Sequence, residues 1–248
     1  MKIKKLLTAA LLLMITFCWG QTVHDLFATN FISFTVPQSY EGQISYLNSN
    51  DLIEKKSVHD VKHDRTLLPS FPNLVSNVTL YEENGNGVLS LIGNSLSVNN
   101  KSYTVIYDYT QTQTILINDA STNVNYYALI GISVRMVAKI VSKSSGINLA
   151  NLYGLSLAAD KKKIAGSLEV RVNGISSQQI NALVPVTTDL SSSSIANALQ
   201  AFATVKSHIY DAETKITPQF LAFSVIGNDK NKDIDINKLS EKVRSFTF

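Results

Sequence analysis

Hydrophobic and polar positions alternate most strictly between Ala128 and Ile140. Ala128, Ile130, Ile132, Val134, Met136, Ala138 and Ile140 share one face of a period-two pattern, while Ser133, Arg135 and Lys139 fall on the other. A period of two rather than 3.6 predicts a long strand. A second strand is expected at Ile164 to Gly174, with Ile164, Leu168, Val170 and Val172 facing one way and Ser167, Glu169, Arg171 and Asn173 the other.

Upstream, β-branched and aromatic runs at Val78 to Tyr81, Val88 to Ile92 and Tyr103 to Ile117 are separated by the turn clusters Asn84-Gly85-Asn86-Gly87 and Asn99-Asn100. They read as an antiparallel meander. In the last run Val105, Tyr107, Tyr109, Ile115 and Ile117 lie opposite Thr104, Thr110, Thr112 and Thr114, the pattern of a sheet buried on one face and wetted on the other. Ile180 to Val186 is a third strand candidate that ends around Pro185, and Ile216 to Ile226 resumes the strand pattern around Pro218.

One amphipathic helix is expected. Ser191 to Ser194 offer capping hydroxyls, and Ile195, Ala198, Leu199, Phe202, Val205 and Ile209 then recur at helical spacing. A shorter helix is expected within Asn148 to Asp160, weakened by Gly154. The predicted fold class is α+β, mainly antiparallel β-sheet with one or two helices packed on one face. Residues 77–226 form the expected β-rich domain. Residues 21–76 precede it as an irregular segment with a short strand at Phe31 to Val36 stopped by Pro37, and residues 227–248 follow as a polar tail.

The N-terminus adds a localisation. Lys2, Lys4 and Lys5, an apolar run from Leu6 to Phe17, and Gly20 before Gln21 have the order of a secretory signal peptide, residues 1–20, cleaved near Gly20. The run is shorter than the roughly 20 residues of a membrane-spanning helix. Lipidation at Cys18 is disfavoured by bulky Phe17 just before it. The expected product is exported, periplasmic or secreted. Cys18 is the single cysteine, so the cleaved chain has no disulfide and relies on core burial.

Charge removes some partners. Without the three signal lysines, the basic residues match the 19 acidic ones, so the cleaved chain is neutral. Nucleic acid, whose binding draws on clustered positive charge, is not an expected partner. The run Lys161 to Lys163 reads as a solvated turn.

Three sequence motifs touch on chemistry. Gly154-Leu155-Ser156-Leu157-Ala158 has the outline of a nucleophile elbow, with Asp189 and His208 following in hydrolase order, but the strand start at Ile164 leaves little room for the helix an elbow requires. His59 and His63, four apart and each beside an aspartate, have metal-ligand spacing without an apolar stripe to hold it. Asp229, Asn231, Asp233 and Asp235 alternate like calcium-loop ligands, yet Ile234 stands where the loop needs glycine and Ser240 where it needs an acid. No catalytic residue, metal site or cofactor is assigned.

The candidate binding residues are Tyr103, Tyr107, Tyr109, Tyr126 and Tyr127, a concentration of aromatic surface suited to stacking on sugars or anchoring a protein. The expected function is an exported non-catalytic binding or interaction module with a protein or carbohydrate partner. A membrane-active, pore-forming-like protein is the alternative, because strands of 9–11 residues with one apolar face also span a bilayer in a barrel. A secreted hydrolase is the third class.

Overall fold

A computed structural model of the chain describes residues 31–83, 89–92, 95–96, 101–119, 124–149, 151–183 and 186–225. The chain opens with β1 (Ile32–Ser39), the hairpin β2 (Gln43–Leu47) and β3 (Ile53–Ser57), and two 3-10 turns, Val58–Asp60 and Arg65–Ser70. Then come β4 (Asn73–Glu83), β5 (Leu89–Ile92), β6 (Ser95–Leu96), β7 (Ser102–Asp119), β8 (Val124–Ser142) and β9 (Ile147–Asn148). The C-terminal part holds α1 (Leu152–Asp160), β10 (Ile164–Asn173), β11 (Ile175–Ser176), α2 (Gln178–Leu183), β12 (Val186–Asp189), α3 (Ser192–His208), β13 (Lys215–Ile216) and β14 (Gln219–Val225). The fold is α+β and mainly antiparallel sheet.

β8 is the axis of the sheet. Along one edge it pairs with β7 from Val124↔Asp119 to Val141↔Ser102. Its other edge is shared: β14 takes Tyr126 to Gly131, and β10 takes Ser133 to Ser142. The sheet therefore forks at Ile132, with β14 and β1 on one branch and β10 and β12 on the other. Gly131 sits at the fork because the neighbouring strand leaves no space for a side chain; a Cβ there would lie 2.1 Å from the Gln111 carbonyl oxygen. On the β7 side the order is β8-β7-β4-β5, so the expected meander is corrected: β4 hairpins with β5, then the chain returns to pair β7 with the opposite edge of β4. The two turn clusters of that region lie outside the described residues.

The even face of β8 is core, as its pattern requires. Ile132 and Val134 face Phe202 and Val205 of α3, and Gln111 and Gln113 on the same face of β7 bond the Arg65–Ser70 turn through the Leu68 and Ser70 carbonyls, at 3.1 and 3.4 Å. Ile44, Val58, Leu67, Leu68 and Phe71 are buried in the same core, so the segment before β4 contributes strands, turns and core residues.

The odd face of β8 corrects the expectation of a wetted side. Ser133, Arg135 and Val137 are buried, together with Ile106, Asp108, Thr110 and Thr112 of β7; toward the two ends of β8, Tyr127, Lys139 and Val141 are exposed. β1 covers this face by crossing the sheet. Its backbone meets β4, β8 and β10 in turn: Asn77 donates to the Phe31 carbonyl (2.9 Å), the Tyr81 hydroxyl to that of Ser33, Arg135 to that of Phe34, and Arg171 to that of Thr35 (3.4 Å). The β1–β14 ladder is interrupted between Ser33 and Gln38, where Pro37 supplies no N–H, and β14 is irregular around Leu221. These interruptions free backbone carbonyls that need donors once buried. Arg135, 0% exposed, supplies them: Nε and Nη2 bind both oxygens of Asp108 at 2.6 and 2.7 Å, Nη1 reaches Phe34, and Nη2 lies 3.5 Å from the Leu221 carbonyl.

α3 begins where its serines predict. The Ser191 hydroxyl accepts from the Ser194 N–H and the Ser194 hydroxyl from the Ser191 N–H, a reciprocal capping box. Ile195, Ala198 and Val205 are buried, but Leu199 is 44% exposed, which narrows the expected stripe. The strand expected at Ile180 to Val186 is instead α2 followed by β12, because Ser177 caps residues 178–183 through bonds to the Ile180 and Asn181 N–H groups. α1 tolerates Gly154 for a packing reason: a Cβ would lie 2.1 Å from the Asn148 carbonyl oxygen.

Asp108→Asn should destabilise the protein by about 3–5 kcal/mol in denaturant titrations, since it leaves the buried Arg135 charge uncompensated. Asp108→Leu with Arg135→Met should recover part of that loss only, because the Phe34 and Leu221 carbonyls then lack their donor. Ile195→Ala should cost about 2–5 kcal/mol and Leu199→Ala within about 0.5 kcal/mol of zero; equal losses at the two positions would contradict the orientation of α3.

Candidate functional site

A cavity of about 200 Å³ remains between the C-terminal half of α3 and the even face of β8. Its floor is Ile132 and Val134, with Ile175 at the side, and its roof is Phe202 and Val205. Those residues are there because two periods meet: every second residue of β8 points up and the α3 stripe points down. The Ser191–Ser194 capping box fixes where the helix starts, and Arg65 fixes where it ends by donating to the Tyr210 carbonyl at 3.1 Å.

Tyr109, Gln111, Ser133, Lys206 and Tyr210 bring polar groups to the lining. Tyr109 from β7 and Lys206 from α3 both line the cavity, and the Lys206 ammonium lies 5.8 Å from the centre of the Tyr109 ring. This is within cation–π range. Among the described residues Lys206 forms no ion pair. The result is a mainly apolar hollow with one ammonium at its edge, lined also by Gln111, Ser133 and Tyr210.

A second hollow of about 310 Å³ lies beside α1, bordered by Asn148, Asn151, Tyr153, Lys161 and Lys163. The lysine run expected as a solvated turn is exposed, with Lys162 in the left-handed region at φ 52°.

The five candidate tyrosines do not form one exposed face. Tyr103 and Tyr107 are buried in the core, and the Tyr107 hydroxyl donates to the Leu149 carbonyl at 2.8 Å. Burial pushes the Tyr107 phenol well above its ordinary pKa. Tyr109 lines the cavity, and Tyr126 packs against the core from its rim. Tyr127, exposed, points to the opposite side of β8.

The other motifs resolve locally. Ser156 sits in the middle of α1 rather than at a strand-to-helix turn, and His208 binds Asp211 rather than Asp189, Nδ1 to Oδ2 at 2.7 Å. His63 has both ring nitrogens engaged, with the Ile216 carbonyl at 2.8 Å and that of Val58 at 3.0 Å, so it ties the turn after β3 to β13. Among the described residues no three His, Cys, Asp or Glu side chains converge as metal ligands. The calcium-like run from Asp229 lies outside the described residues, as do the signal segment and Cys18.

Sequence reasoning missed Lys206. It sits beside Val205 at the border of the helix stripe, where a lysine is an ordinary solvated residue; only the arrival of Tyr109 from β7 gives it a role. No protein-family model, curated protein or solved structure matches this chain.

Proposed function

We propose that this is an exported, non-catalytic binding module that holds a small apolar ligand between α3 and β8. The observation that carries the reading is the hollow itself: aliphatic and aromatic side chains line most of it, and Gln111, Ser133, Lys206 and the phenols of Tyr109 and Tyr210 supply its polar groups. Binding sites for small molecules share that composition. The burial of both faces along the middle of β8 favours this reading over the membrane-active one, since Arg135 and Asp108 serve the core there rather than a pore lumen.

Two measurements test the proposal. Mass spectrometry of the exported protein should find a chain beginning at or near Gln21; a lipidated Cys18 would place the protein on a membrane anchor instead. An environment-sensitive naphthalene dye should bind with a one-to-one stoichiometry and a gain in fluorescence. Val134→Phe fills the floor of the hollow and should abolish that gain while keeping a cooperative melt, at an overpacking cost of about 1–3 kcal/mol. Unchanged dye binding by the folded variant would remove the hollow from consideration.

A further inference from the structure

We infer that the ligand of this hollow is a small anionic amphiphile, an acyl chain or single aromatic ring bearing one carboxylate-like group that pairs with Lys206. The inference rests on the reading of the hollow as the binding site and adds its chemistry.

Size sets the apolar part. A dry cavity of about 150 Å³ lined by aliphatic and aromatic groups accepts benzene. The hollow here, about 200 Å³ and similarly lined, suits one ring with a short side chain or a medium-length acyl chain. A sterol-sized ring system exceeds it.

Charge sets the other end. Lys206 and Tyr109 stand together at the margin, so an anion placed there meets an ammonium and the edge of a phenol-bearing ring while its apolar body lies over Ile132 and Val134. The nearby carboxylate of Asp211 is already bound to His208. An ammonium at the margin repels a cationic head group and gives a neutral alcohol no ion pair. A lysine in the last turns of a helix also complements the helix dipole, and that role alone predicts no preference among ligands.

Calorimetric titration of the purified full chain with octanoate, octanol and octylamine distinguishes these possibilities. Octanoate should bind about two- to fivefold more tightly than octanol, the range expected of an exposed ion pair, and octylamine more weakly than either. Lys206→Met keeps the apolar stem of the side chain and should remove the advantage of octanoate while leaving octanol unchanged. Lys206→Arg should restore it. Circular dichroism melts of each variant separate ligand loss from unfolding.

Equal affinity for octanoate and octanol in the wild type, or equal weakening of both by Lys206→Met, would overturn the anionic assignment while the binding reading survives. Binding of none of the three would overturn both.

Discussion

Two charges buried within the sheet hold the two layers of this protein together. Arg135 is committed on all sides: both oxygens of Asp108 from the neighbouring strand, the Phe34 carbonyl from the strand that crosses above, and the Leu221 carbonyl from the irregular stretch of β14. A buried ion pair by itself is weak evidence of stability, because desolvation opposes the Coulombic gain. Here the guanidinium has a second task. Backbone interruptions in β1 and β14 leave carbonyls without ladder partners in the interior, and an arginine, with five donors in a fixed fork, can satisfy them while also binding a carboxylate. The irregular strands and the buried charge thus explain one another.

The same constraint bears on the proposed site. Arg135 is held by its four bonds and Ser133 accepts from Asn173, and Ile132 and Val134 beside them form the floor of the hollow. A floor whose alternate side chains are locked from behind is a preorganised surface, and binding to it costs little further ordering. On the roof, the capping box at one end of α3 and the Arg65 contact just past the other hold the helix over the same floor.

The class of the fold, the long strands and the main helix were legible because each rests on a local period. Ala128 to Ile140 carries an apolar residue at every even position, and Ser191 to Ser194 precede a helical stripe. What was not legible depends on partners distant in sequence. Alternation at Ser133 and Arg135 looks the same whether water or β1 lies above, and nothing near Arg135 reveals that Phe34, 101 residues away, will meet it. Residues 180–186 read as a strand, yet Ser177 caps Gln178–Leu183 into a helix. The tyrosines illustrate the limit of composition: strand propensity brought them to β7 and β8, but the faces they occupy divide them among core, cavity margin and outer surface. Lys206 carried no signal until tertiary structure placed it beside Tyr109.

The pairing of β1 with β14 has a consequence for how the molecule assembles. Ile32 lies opposite Phe223, so the first and last described strands are neighbours, and the ring of Phe34 packs 5.2 Å from that of Phe223. Contacts of such long sequence separation carry a large loop-closure cost and slow the search for the native state. The hairpin of β7 and β8 can form early from local contacts, but its odd face has no complete cover until residues 219–225 have been synthesised. The arrangement around the buried pair is thus completed only by the last described strand, which pairs β8, gives β1 its ladder partner and brings the Leu221 carbonyl to Arg135.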